Sequence, residues 1–141
     1  MKRKTLTNWV GLPPDFSPDD WAGFVYLIVN VLTQQKYIGK KFLKSIRRTK
    51  VKGKRKRKVV RKESDWREYK SSSEELQKDI LTYGEGSFEF RILHLCKTRA
   101  ETNYLEVKEQ FIRDVLNSRL PDGRYEYYNE CILARYYRKR Y

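Results

Sequence analysis

Two tyrosines, Tyr26 and Tyr37, close two short apolar runs in the stretch FVYLIVNVLTQQKYIGKK, residues 24 to 41. A polar turn separates them, and Gly39, Lys40 and Lys41 follow the second. A phenol ionises near pH ~10 in water, and a neighbouring cation favours the ionised form. Phenols beside lysines can take a proton from an attacking water, where the same lysines draw in phosphate. Tyrosine is also common in strands, so each residue alone fits a structural role. Their joint context raises the chemical reading. In a hairpin turning near Leu32, residues 26 and 37 lie roughly opposite each other, and Gly39 leaves room for a substrate backbone.

The charge of the chain points to a polyanion. Thirty-two Lys and Arg stand against eighteen Asp and Glu, a formal net charge of +14 over 141 residues. Such a surface attracts nucleic acid first and anionic membrane second. Membrane binding also needs an apolar face, and the most basic segment, residues 47 to 62, offers only Val51, Val59 and Val60 as strong hydrophobes. DNA is the expected partner, with no membrane role. The two cysteines, Cys96 and Cys131, make no disulfide framework, and no apolar region follows the basic MKRK start, so a cytoplasmic setting is expected. His94, Cys96 and Cys131 have poor spacing for zinc, and His94 is read as structural.

The elements that must position the tyrosines follow from pattern. Residues 1 to 22 read as an irregular arm broken by Pro13, Pro14 and Pro18, with Trp9, Leu12, Phe16 and Trp21 able to pin it to the body. FVYLIVNV and KYIGK read as two strands of an antiparallel hairpin. The run RRTKVKGKRKRKVVRK, residues 47 to 62, has eleven basic residues in sixteen and reads as self-repelling and mobile on its own. Ser72 or Ser73 can cap a helix that buries Leu76, Ile80, Leu81 and Tyr83 and stops at Gly84. SFEFRILHLC alternates Phe88, Phe90, Ile92 and His94 on one face of a third strand. Thr98 caps the longest helix, drawn over 98 to 120, with Leu105, Ile112 and Leu116 near one stripe. The order β-β-α-β-α gives a small α+β fold with a three-stranded, mostly antiparallel sheet flanked by helices.

FVY and YIG, ten residues apart, resemble the signature of the GIY-YIG nuclease family, with Phe24 in place of the first glycine. The order of the remaining motifs is similar too. Arg47 and Arg48 follow YIG, a helix with SSS at its start precedes a GxxxF turn, a glutamate sits in YLEVKEQF, and Tyr128–Asn129 comes near the end. The resemblance covers about residues 23 to 132, between the arm (1–22) and a basic aromatic tail (133–141). It implies a metal-dependent DNA endonuclease, cutting phosphodiester bonds with one Mg²⁺ or Mn²⁺ held by the glutamate. On that likeness Tyr26 would be the general base and Tyr37 would orient the water or share its proton. Arg47 or Arg48 would neutralise transition-state charge, Lys40 would support Tyr26, and Asn129 would hold the site's geometry. Glu106 follows Leu105 as the family's leucine–glutamate pair would have it; Glu109, one turn later, fits if EQFI is aligned instead.

The basic insert reads as a DNA-gripping arm, with Lys41, Lys44, Lys52, Lys54, Arg55, Lys56, Arg57 and Lys58 as phosphate contacts. It lacks aromatics, so it should hold the backbone without stacking on bases. One active site cuts one strand, so a monomer would nick and a homodimer could cut both. The rival reading is a non-catalytic nucleic-acid-binding module on the same fold; a third is an RNA-associated basic protein.

Overall fold

The structure is a computed structural model and describes residues 7–138. Its centre is a three-stranded antiparallel sheet in the order β2-β1-β5, built from β1 (Gly23–Asn30), β2 (Lys36–Phe42) and β5 (Phe88–Cys96). β1 lies in the middle and is covered on both faces, which explains its unbroken apolar run. Around the sheet stand two helices, α1 (Glu74–Tyr83) and α2 (Arg99–Ile112), and two small hairpins, β3 (Lys44–Thr49) with β4 (Lys58–Glu63) and β6 (Cys131–Ile132) with β7 (Tyr136–Tyr137). The fold is α+β, as the sequence suggests.

Each face of the sheet has its own core. On one, Phe24, Tyr26, Ile28, Phe88 and Phe90 pack against Trp9 and Trp66 and against Leu76 and Ile80 of α1. On the other, Val25, Leu27 and Ile38 meet Val115, Leu116 and Tyr127, with Leu105 and Val107 of α2 alongside. The arm is pinned as expected: Trp9 is buried, its indole N–H donates to the Trp66 carbonyl at 2.8 Å, and Val10 exchanges backbone hydrogen bonds with the free edge of β5.

Several expectations are corrected. Residues 47 to 62 are not a formless run; they make most of the β3–β4 hairpin, where Ile46, Val59 and Val60 supply strand-forming side chains among the cations. On α1 only Leu76 and Ile80 are buried, while Leu81 is 86% exposed and Tyr83 is exposed too. α2 ends at Ile112, because Asp114 takes a left-handed φ of 50° that breaks the spiral. Ile112 therefore faces solvent, and Leu116 reaches the core from the turn that follows.

β5 changes face along its length. Val25 pairs with His94 and Tyr26 with Ile92, so Leu93 is an extra residue, a β-bulge. Phe88, Phe90 and Ile92 share a face as predicted, but the bulge carries His94 to the other side, where its Nε2 lies 2.9 Å from Glu109.

Candidate active site

Register places the two phenols. Tyr26 pairs with Gly39 and Tyr37 with Ile28, so the tyrosines are diagonal neighbours on one face and not directly opposite. The cause is the turn. The Asn30 side chain accepts from the backbone N–H groups of Leu32 and Thr33, and its own backbone N–H reaches Gln35, so the loop is wider than one centred on Leu32. The rings lie 6.1 Å apart between centroids.

Gly39 serves these rings and not a substrate backbone. A Cβ there would come within 2.5 Å of the Tyr26 hydroxyl oxygen and 2.8 Å of Tyr37 Cε1. The missing side chain is the space that the Tyr26 phenol occupies.

The expected lysine effect on the phenols is also corrected. Lys40 points to the opposite face, toward α2, where Nζ lies 2.6 Å from Asn103 Oδ1 and 3.4 Å from Glu106 Oε1. Lys41 is on the tyrosine face, but it pairs with Asp65 at 2.6 Å and sits 4.1 Å above the Tyr69 ring. Burial pushes the Tyr26 phenol well above its usual range, and Tyr37 and Tyr69 push it further against a hydrogen bond with Ser71. Burial also raises Tyr37, opposed by Ser72 and helped by Tyr69 and Glu106. Both phenols are neutral in the protein by itself.

The candidate glutamates part company. Although three apart on α2, they do not share surroundings. Glu109 is bound by His94 and by Arg113, each at 2.9 Å, and these partners hold its carboxyl below the usual range despite burial. Glu106 borders a cleft of roughly 640 Å³ together with Tyr37 and Asn129. Burial raises the Glu106 carboxyl, and Lys40 opposes the shift.

That cleft lies along the outer edge of β2, which Asn129 and Gln110 cover at Ile38. Tyr37 arrives from one face and Glu106 from the other, while Asn129 closes the edge itself. The Asn129 side chain accepts from the Ile38 N–H at 3.0 Å and donates to the Ile38 carbonyl at 2.8 Å, and Gln110 adds a second donor to that carbonyl. The start of α1 lines the far wall through Ser72, Glu74, Glu75 and Lys78.

Of the predicted residues, Tyr37, Glu106 and Asn129 meet at the cleft, and Tyr26 and Lys40 stand directly behind it. Arg47 and Arg48 do not line it; they sit opposite Val60 and Val59 on the β3–β4 hairpin. Lys44 opens β3 and Lys58 opens β4 of the same hairpin, and Lys52, Lys54, Arg55, Lys56 and Arg57 make its exposed tip. The sequence reading missed Tyr69, Ser71 and Gln110. Ser71 is buried with a left-handed φ of 93°, a strained setting that no sequence pattern announces.

Four carboxylates (Glu74, Glu75, Glu106, Glu130) line the cleft with Lys78; behind the lining Lys40 pairs with Glu106, and Arg138 with Glu75 and Glu130. Oxygen donors of this kind suit a hard divalent cation. Among the described residues no three His, Cys, Asp or Glu side chains converge as a ready-made cage. One carboxylate beside open space suits a hard cation that keeps most of its waters. Glu106, the most enclosed acid bordering Tyr37, is the residue that would hold it.

Residues 9–132 match the family model described as "Putative endonuclease segE, GIY-YIG domain". No curated protein and no solved structure shows significant similarity to the chain.

Proposed function

This chain belongs to the GIY-YIG nuclease family, and from that premise we propose that it is a metal-dependent DNA endonuclease whose cleft at the β2 edge binds the scissile phosphate. As a family member it is a phosphodiester hydrolase. The observation that carries the fuller reading is the meeting of Tyr37, Glu106 and Asn129, from three distant parts of the chain, in one acidic cleft.

A divalent cation at Glu106 would polarise the phosphoryl oxygen, stabilise the leaving alkoxide and lower the pKa of phenols and water beside it. The remaining work belongs to the protein. Tyr37, whose ring lines the cleft, contacts the attacking water and takes its proton once its own has left. Tyr26, the base expected from the sequence, is 1% exposed behind Tyr37 and tied to Tyr69 and Ser71. It therefore exchanges the role with Tyr37 and shares the proton load without meeting the water. Lys40 holds the Glu106 carboxylate in place and opposes the upward push of burial. Asn129 and Gln110 fix the Ile38 backbone, and with it the strand that carries Tyr37. Arg47 and Arg48 meet the bound strand outside the cleft, beside the basic tip of their hairpin. With one cleft per chain, a monomer nicks.

The test is supercoiled plasmid with Mg²⁺ or Mn²⁺. Nicked circles should accumulate, and chelation, Glu106→Ala or Tyr37→Phe should stop them. Intact plasmid under every divalent metal, or undiminished cutting by both variants, overturns the proposal.

A further inference from the structure

We infer that the β3–β4 hairpin is a duplex-reading ribbon, seated in the major groove of DNA and fixing where the cleft cuts. This rests on the nuclease reading for its purpose but not for its test.

Neither strand of the hairpin belongs to the central sheet, and from Ser45 to Glu63 every strand residue is exposed. A bare two-stranded ribbon without a covering layer is marginal in water, so its faces are built to meet something else. The charge names the partner. Residues 50 to 57 at the tip carry six lysines and arginines and no acid. A ribbon is also the right shape: the major groove, about 12 Å wide, admits two strands as it stands, whereas the minor groove, about 6 Å wide, must first be deformed to take them.

The two faces differ. Register puts Ser45, Arg47 and Thr49 on one face with Lys58, Val60 and Lys62, and Ile46, Arg48, Val59 and Arg61 on the other. At the root, the second face is held by the body: Lys44 pairs with Asp19 at 3.2 Å, and Glu63 accepts from the Trp66 indole at 2.8 Å. Beyond the root both faces are open, and the first carries no anchoring contact to the body. It has the means to read base edges, with an arginine fork for guanine, hydroxyls for either partner, and a valine for the thymine methyl.

The root also gives the ribbon a fixed bearing on the cleft. The Ser64 N–H donates to the Leu43 carbonyl at 2.9 Å and its hydroxyl to the Phe42 carbonyl at 2.6 Å, tying the hairpin's exit to the end of β2. Trp66, two residues on, is fully buried against Phe24 in the core that also holds Tyr26. A ribbon so anchored holds its DNA contacts at a set distance from Tyr37.

The experiment uses the full chain without divalent metal and duplexes selected by binding from a randomised pool. Partial methylation then marks the grooves, guanine N7 in the major and adenine N3 in the minor. N7 methylation over a short run should block binding. Arg47→Ala should erase that block at one position and relax base preference there by about five- to a hundredfold. Lys54→Ala and Lys56→Ala should weaken all duplexes alike and flatten the salt dependence. Interference at adenine N3 alone, no interference, or a uniform loss in Arg47→Ala overturns the inference. N7 interference in a chain that never cuts would leave the ribbon standing and sink the nuclease reading. Cutting without N7 interference would do the reverse.

Discussion

Asn129 grips Ile38 by both backbone groups, accepting from its N–H at 3.0 Å and donating to its carbonyl at 2.8 Å. One amide side chain thus continues along β2's outer edge the pairing that the backbone bridge of Lys36 with Tyr127 begins. Asn129→Ala leaves the Ile38 N–H unpaired in a buried place, which costs about 1–3 kcal/mol. Gln110 continues to serve the carbonyl, so the chain should fold, melt earlier and cut poorly. Denaturant titration beside plasmid cleavage checks this. Wild-type stability in the alanine variant would show that the clamp contributes nothing.

Gly39→Ala should be worse than its single methyl suggests. The new Cβ meets the Tyr26 hydroxyl oxygen at 2.5 Å and Tyr37 Cε1 at 2.8 Å, and Tyr26 is 1% exposed, packed among Trp9, Phe24 and Tyr69. Overpacking of this kind costs about 1–3 kcal/mol. Cleavage should fall further than stability does, since both phenols shift. Equal retention of activity and stability would refute this account of the glycine.

Glu106→Gln should separate stability from activity. Burial raises the Glu106 carboxyl above its unfolded value, so the folded chain holds that proton more tightly than the unfolded one. The ionised side chain therefore weakens the fold progressively as pH rises through the unfolded value of about 4.3 and past the folded one. Glutamine lacks that charge. Its melting temperature should match the wild type in acid and equal or exceed it near neutrality, while cleavage is lost. Thermal melts across the acid-to-neutral range decide it; a variant less stable only at neutral pH contradicts the sign.

The phenols predict an alkaline-rising rate. Burial lifts both Tyr26 and Tyr37 above the usual range, so the ionised fraction is small at neutral pH and grows about tenfold per pH unit. Single-turnover cleavage should climb with pH, and Tyr37→Phe should flatten the climb as well as lower it. A flat wild-type profile would remove phenol ionisation from the reaction.

What could be read in advance was what local pattern encodes. Ser73 and Thr98 cap their helices because a hydroxyl at the first turn has one evident use, and both accept the expected N–H. Trp9 sits in the core because little else suits an indole beside prolines. Tyr37, Glu106 and Asn129 share a cleft as the motif order implies. Quantities set by pairing were not legible. The diagonal placement of Tyr26 and Tyr37 depends on how the Asn30 side chain widens a turn, and the face of His94 on one extra residue at Leu93. The protonation of the phenols went against expectation because alternation sends Lys40 to the far side of the sheet, and sequence adjacency hides that. The hairpin was masked by its cations, whose number overwhelmed the weaker signal of Ile46, Val59 and Val60.

The closure between Leu43 and Ser64 makes residues 45 to 62 an exchangeable cassette. Chain enters and leaves at one point, so a shorter turn or a foreign loop can be grafted there without re-threading the sheet. Only Glu63 must stay, because the buried Trp66 indole depends on it. Target preference and bond-breaking can then diverge independently, and an engineer could swap the former while leaving the latter alone.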